Sequence, residues 1–234
     1  MIKLAADLHI HSCLSPCASP DMTPNNIVNM AYLKGLQAIS VCDHNCARNL
    51  PAVKAAADAH GLVFIPGIEV ETREEVHVLT LFPSLEPAME FGEWVYNSLP
   101  NIENSPSFFG EQLIMNEEDK VIGMETRLLL QSTTRSIDEV VSRCREFGGV
   151  PIPAHINRSA NSLLHILGFI PPNLALTSIE VCAQFTLVGV EISRYHVLYD
   201  SDAHTLGSIS EPNHFLSACE QSAKGILDHL AKQK

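Results

Sequence analysis

The stretch "DLHIHS" places His9 and His11 two residues apart at the end of an apolar run. In a strand, residues i and i+2 point to the same face, so the two imidazoles aim the same way. That spacing suits two ligands on one metal ion, and alone it suits equally well a pair of histidines packed in a core. Further along, "AISVCDHNC" ends an apolar run with Asp43 and His44, and "FIPGIEVET" carries Glu69 just after Pro66 and Gly67. "EEVHVLTLF" sets His77 within an apolar alternation, "GGVPIPAHINR" ends on His155 and Arg158, and "VLYDSDAH" ends on Asp202 and His204. Each motif is weak singly. Together they put a His, Asp or Glu at almost every apolar segment's end, and such groups are rarely buried without partners. A divalent metal is the simplest common partner for that many imidazoles and carboxylates.

The elements that must position these residues are short apolar runs alternating with helical patterns. Strands are expected near 4–10, 37–42, 62–68, 75–82, 149–155, 179–183 and 197–202. "TPNNIVNMAYLKG" reads as a helix with Thr23 as N-cap, Pro24 in its first turn and Gly35 as its stop. "NLPAVKAAADAHG" is a second, closed by Gly61, and "SIDEVVSRCREFGG" a third, with Ser136 and Glu139 spaced as a capping box. "EFGEWVYNSL" reads as helical, and the tail "EPNHFLSACEQSAKGILDHLAKQK" as one long final helix. Strand and helix in alternation imply a mostly parallel sheet with right-handed crossovers, which seven strands could close into a barrel. In such a barrel the strand C-termini share one mouth, where active sites sit. The stretch 84–131 breaks the rhythm. Its "QLIMNEEDKVIGMETRLLL" reads as a hairpin turning at "NEEDK", so 99–131 is expected to be an insertion in a single domain spanning 1–234.

Composition narrows the function classes. With 234 residues, 46% of them hydrophobic, the chain can bury a sizeable core, and no apolar run is long enough for a bilayer. The N-terminus shows no export signal, so a cytoplasmic location without membrane contact is expected. Seven cysteines in a chain this long read as reduced thiols. A formal net charge of −12 argues against a basic face for duplex nucleic acid, so no duplex partner is expected. It does not exclude a phosphorylated small substrate, because bound metals reverse the local field.

With its motifs in the order "DLHIHS", "DHN", "GIEVE" with "EVHVL", "PAHINR" and "SDAH", the sequence resembles the polymerase and histidinol phosphatase (PHP) family, and within it the small stand-alone PHP-domain phosphoesterases. The resemblance runs from residue 7 to 204. It implies a distorted seven-stranded (β/α) barrel, two or three divalent metals (Zn, Mn or Fe) and phosphoester hydrolysis. One metal would take His9, His11, Glu69 and Asp202. A second would share Glu69 and take His77 and His155. A third would take His44, His204 and one ligand from the loop after His11. Here the sequence departs from the family, whose members often carry Asp or His shortly after this stretch. The loop reads "CLSPCASPDM", offering Asp21, the better hard-metal ligand, or Cys17, nearer the usual spacing. Asp21 is taken as the expected ligand.

Around these, Asp7 and Asp43 are expected to orient metal-bound imidazoles from behind, with helix capping as the other reading of Asp43. Arg158 suits a phosphate bidentately, against the plainer reading of a surface arginine, and Asn45 is a weaker substrate-contact candidate. His60, His165, His196, His214 and His229 fall in no motif. Cys13 with Cys17 and Cys42 with Cys46 have spacings compatible with a thiolate zinc site, but Cys42 lies on an apolar strand and should pack as a small hydrophobe. The first reading is therefore a metal-dependent phosphoesterase cleaving a small phosphorylated metabolite or nucleotide with a metal-activated hydroxide. No nucleophile-elbow motif is present, and no protein general acid is assigned. The alternatives are a nucleic-acid proofreading or accessory PHP module, and a metal-binding domain without turnover.

Overall fold

A computed structural model describes all residues, 1–234. The chain runs β1 (Ile2–Ile10), α1 (Pro24–Leu33), β2 (Ala38–Val41), α2 (Leu50–His60), β3 (Val63–Phe64), β4 (Gly67–Glu71), β5 (His77–Leu81) and α3 (Leu85–Tyr96). It continues through α4 (Pro106–Phe109), β6 (Leu113–Met115), β7 (Val121–Met124), α5 (Ile137–Glu146), β8 (Val150–Pro153) and α6 (Leu163–Leu167). It ends with β9 (Ser178–Glu180), β10 (His196–Leu198), β11 (Phe215–Ala218) and α7 (Ala223–Leu230). Helix starts follow local chemistry. The Thr23 side chain accepts from the Asn26 amide, Ser136 and Glu139 form the full capping box, and Gly61 closes α2 in the left-handed region at φ 67°.

The architecture is mixed α/β. β11, β1, β2 and β3 form one sheet in that order, parallel except for β11. β4, β5 and β8 form a second that is wholly antiparallel, β9 and β10 pair in parallel, and β6 and β7 make the expected hairpin. The expected run of parallel crossovers is thus corrected at β4–β5–β8, where the link from Glu71 to His77 is too short for a crossover. The ladders do not close into one ring, although bridges at His44–Glu69 and Ile10–Ala203 join neighbouring sheets. The single long final helix is also corrected. "FLSA" pairs with Ile2–Ala5 and satisfies the outer edge of β1, and only Ala223–Leu230 is helical.

Two apolar layers hold the sheets. The larger packs α1, α2, α3 and α5 on the outer faces, and the smaller contains Leu4, Ala6, Leu8, Leu79, Leu81 and Ile152 between them. β1 serves both, and its parity changes along the strand. Ala5 belongs to the outer layer and Leu4, Ala6 and Leu8 to the inner one, yet Ile10 lies in the outer layer. The cause is a register shift: three steps on β1, from Asp7 to Ile10, face two on β2, from Ile39 to Val41. Such a bulge re-aims the side chains beyond it, and here it turns His9 and His11 inward. Gly67 permits the close approach of β4 to β2, since a Cβ there would lie 2.5 Å from both Cys42 Sγ and Ser40 Oγ.

Candidate metal centre

Glu69 is the hub. Its carboxylate is 1% exposed and is reached by imidazoles from two strands and three loops. His77 Nδ1 lies 2.8 Å away, His44 Nδ1 3.0 Å, His155 Nε2 3.2 Å, and His9 and His11 Nε2 each 3.4 Å. Asp202 completes the group, its Oδ1 3.3 Å from His9 Nε2 and 3.0 Å from His11 Nε2. Three sets of donor atoms each converge within 4.8 Å: His9, His11, Glu69 and Asp202; His44, Glu69 and His77; and His11, His44 and His204. His77 begins its strand, yet reaches this end because β5 runs antiparallel to β4 and pairs His77 with Glu71. His155 and Asp202 occupy left-handed backbone positions, at φ 30° and 50°. Such positions cost on the order of 1–3 kcal/mol and concentrate at functional sites.

The donor set fits divalent cations on two counts. His44 Nδ1, Glu69 Oε2 and Asp202 Oδ1 are buried without a hydrogen-bond partner, although they lie beside other donors of the cluster. His9 Nε2 and His11 Nε2 face each other at 3.2 Å, an arrangement a shared cation explains better than an imidazole pair. The field agrees. Burial would raise the Glu69 pKa, but His77, His9 and His44 hold it well below the carboxylate range. Asp202 is likewise lowered against burial by His9 and His11. Burial would lower the His77 pKa, but Glu69 and Glu71 push it up to about 9. Without cations the cluster retains protons in the positions dications would take.

A layer behind the donors fixes ring orientation. His9 Nδ1 meets Glu180 Oε1 at 2.9 Å, and Glu180 Oε2 accepts the His155 amide at 2.6 Å. His11 Nδ1 meets Ser15 Oγ at 3.0 Å, and that hydroxyl donates to Asp43 Oδ1 at 2.7 Å. His9 and His11 thereby present Nε2 to the centre. The mouth above, about 480 Å³, is lined by Cys17, Glu71, Leu130, Arg158, Asn161 and His204 among others.

No protein-family model matches the chain. It is 33% identical over 90 residues to a 3',5'-nucleoside bisphosphate phosphatase of Chromobacterium violaceum, covering 37% of this chain and 30% of that protein. It is 31% identical over 87 residues to a 5'-3' exoribonuclease of Haemophilus influenzae, covering 36% and 31%. The chain therefore spans about a third of the length of these curated relatives. Among solved structures, endonuclease Q of Pyrococcus furiosus aligns with TM-score 0.64 at 21% identity, over 100% of this chain and 57% of that one. A protein described as a metal-dependent phosphoesterase from Bifidobacterium adolescentis aligns with TM-score 0.59 at 18% identity, over 86% and 88%. The fold is shared with these solved structures, and the partial match to the bisphosphate phosphatase is in keeping with the resemblance of the motifs to the PHP family.

Within this chain, His9, His11, His44, Glu69, His77, His155, Asp202 and His204 are brought together, and Arg158 rises beside them, paired through Nη1 with Asp202 Oδ2. Asp21 is not among them. It is exposed, with its backbone carbonyl taken by Asn26, whereas Cys17 lies at the mouth beside His44. Asn45 does not contact the mouth. Its amide donates to the Leu129 and Gln131 carbonyls and its Oδ1 accepts from Glu71, so its polar atoms serve the backbone. Asp7 likewise binds backbone amides of Ser201 and Ser210 and the Ser201 hydroxyl, and no imidazole. Asp43 reaches His11 only through Ser15, and α2 is preceded by Asn49 rather than by Asp43. Glu180 was missed: "SIEVC" shows one acid in an apolar run, and nothing local marks it as the support of His9. The exclusion of duplex nucleic acid is also corrected. Endonuclease Q, whose fold aligns over the whole chain, is known in complex with a 27-mer duplex carrying an abasic lesion at its active site. Net charge is a whole-chain sum, and it does not describe a mouth that holds Arg158 and cation positions. No helix is long and apolar enough to cross a membrane.

Proposed function

We propose that this chain is a metal-dependent hydrolase of phosphate esters, acting at the mouth between His77, Arg158 and His204. The observation that carries the reading is the buried convergence of imidazoles on Glu69 and Asp202, with unpartnered donor atoms aimed into one space. His9, His11, Glu69 and Asp202 would hold one cation, Glu69, His77 and His155 a second, and His44 and His204 a third. Divalent ions there supply charge neutralisation at phosphate oxygens and acidify water.

The chain's own groups do the rest. Arg158 offers a guanidinium at the rim, half-buried against Asp202, where its planar fork can hold phosphate oxygens. His204 Nδ1 donates to the Asp202 carbonyl at 2.8 Å, which fixes the tautomer and leaves Nε2 as an acceptor. Burial and the neighbouring His11 push its pKa down to about 4, so it stays neutral at physiological pH. The buried rings exclude water from one side of the mouth and Leu130 borders the other. The bridges at His44–Glu69 and Ile10–Ala203 support reading the sheets as a distorted barrel around this centre.

The favoured substrate is a phosphorylated nucleotide or small metabolite, supported by the bisphosphate phosphatase among the relatives. A second reading, cleavage within a nucleic-acid strand, is favoured by the whole-chain alignment with endonuclease Q. The test is a hydrolysis screen of metal-stripped protein reloaded with Zn, Mn or Fe. Nucleoside 3',5'-bisphosphates and sugar phosphates form one arm, and single-stranded and lesion-bearing duplex oligonucleotides the other. Phosphate release only in the first supports the first reading, and strand cleavage only in the second supports the other. Metal uptake without turnover in either arm would leave a metal-binding domain and overturn the proposal.

A further inference from the structure

The loop from Ser12 to Ser19 is tied on both sides of Cys17 to the residues of the third donor set. Two residues before it, the Ser15 hydroxyl meets His11 Nδ1, donates to Asp43 and accepts the His44 amide at 3.2 Å. Two residues after it, the Ser19 amide donates to the His204 carbonyl at 2.8 Å. The backbones or rings of His11, His44 and His204 are thus all laced to this one loop. From outside, Gly110 presses on it so closely that a Cβ there would lie 2.1 Å from the Pro16 carbonyl oxygen. The Cys13 carbonyl also accepts the Leu113 amide at 2.9 Å, so the stretch carrying β6 holds the loop in place. Cys17 is exposed at the rim of the mouth, where its side chain meets that of His44, which is 5% exposed.

We infer that Cys17 is the third protein ligand of the His44 and His204 position, making it a thiolate-bearing site that selects zinc-like over magnesium-like cations. The inference rests on the metal-centre reading above and adds the chemistry of one position. The position built on Glu69 and Asp202 offers carboxylate oxygens, which suit hard cations, whereas two imidazoles and a thiolate suit a soft or borderline one. One chain would then hold two chemically distinct positions a few ångströms apart, joined by the contact of His44 with Glu69. On coordination the Cys17 S–H proton passes to solvent and the sulfur lone pair forms the metal bond; no oxidant or reductant is involved. Asp21 lies beyond Ser19 and does not line the mouth.

The test uses cobalt(II) titrated into the metal-stripped full chain, read by absorption. Thiolate ligation gives a near-ultraviolet sulfur-to-cobalt charge-transfer band, while imidazole and carboxylate ligation give visible ligand-field bands. Both are expected in the wild type. Cys17→Ser and Cys17→Asp should lose the charge-transfer band and keep the visible ones, and Cys219→Ser and Asp21→Asn should keep both. Against a competing chelator, Cys17→Ser should lose at least about tenfold in affinity for one zinc equivalent, since partners behind the ligands already command 10–100-fold. Visible bands without charge transfer in the wild type, or a band that survives Cys17→Ser, would overturn the assignment and leave the metal centre standing. No cobalt absorption at all in the folded chain would overturn the metal centre itself.

Discussion

Glu180 is the most informative residue to change, because both of its partners are donors. The His155 amide can only donate, at 2.6 Å, and His9 Nδ1 must carry its proton if Nε2 is to face the centre. Glu180→Gln keeps the shape and offers one acceptor and one donor to these two donors. If the amide oxygen keeps the His155 N–H, its NH2 faces Nδ1 and drives the His9 proton to Nε2, which blocks the ring as a ligand. If it keeps His9, a buried backbone N–H is left facing an NH2. Glu180 is 2% exposed, so solvent does not repair either arrangement. Losing one hydrogen bond to a buried charged group costs roughly 1.5–3 kcal/mol. Taking about 2 kcal/mol, at about 1.4 kcal/mol per tenfold, the metal affinity should fall about thirtyfold. The value sits within the roughly 10–100-fold known for partners of metal-bound histidines. The assay is competition for zinc against a fluorescent chelator, with the melting temperature of the stripped protein as a folding control. Affinity within about threefold of wild type, in a folded variant, would show that His9 is oriented without Glu180 and would refute the reasoning.

Arg158→Ala should lower kcat/KM by about 2–4 kcal/mol of transition-state binding, with Arg158→Lys recovering only part; because Arg158 also pairs with Asp202, metal content should be measured alongside, and unchanged kinetics in both variants would make it a surface residue. The metal-free protein should lose stability as pH rises from about 6.5 to about 9. His77 has its folded pKa raised to about 9, so its contribution is complete below the unfolded value and lost as pH passes the folded one. Melting temperatures at stepped pH should show this decline in stripped protein and a weaker one with zinc present; a rise in the stripped protein would contradict the sign. Gly67→Ala should destabilise by about 1–3 kcal/mol in denaturant titration, because its Cβ would meet Cys42 Sγ and Ser40 Oγ at 2.5 Å; an unchanged midpoint would show that β2 and β4 part freely.

What could be read from sequence was whatever local chemistry dictates. Thr23 with Pro24, Ser136 with Glu139, and Gly61 announce helix ends because caps and left-handed stops are made by the residues themselves. The histidines and carboxylates at segment ends were legible for a related reason: burial of so many polar groups demands a common partner, and the demand is visible in types and spacing. What escaped was set by partners distant in the chain. The strand at Phe215–Ala218 exists because the edge of β1 needs an antiparallel neighbour more than two hundred residues away, and its residues carry a pattern that a helix would also accept.

The inward turn of His9 and His11 shows why periodicity alone misleads at such a site. Strict alternation along β1 would place them with Ala5 and Asp7, on the side away from Leu4, Ala6 and Leu8. The extra residue between Asp7 and Ile10 reverses the parity, and only the pairing with β2 reveals it. Asp21 and Cys17 differ in the same way. Ligand hardness favours the carboxylate, but the loop is pinned at Ser15 and Ser19, and those bonds set Cys17 at the rim of the mouth and Asp21 away from it. Asn45 stands next to His44 in the chain, yet a backbone at φ 51° turns its amide to the Leu129 and Gln131 carbonyls. At this centre, adjacency in sequence is a weak guide to function, and the hydrogen bonds that fix the backbone decide which side chains reach the metals.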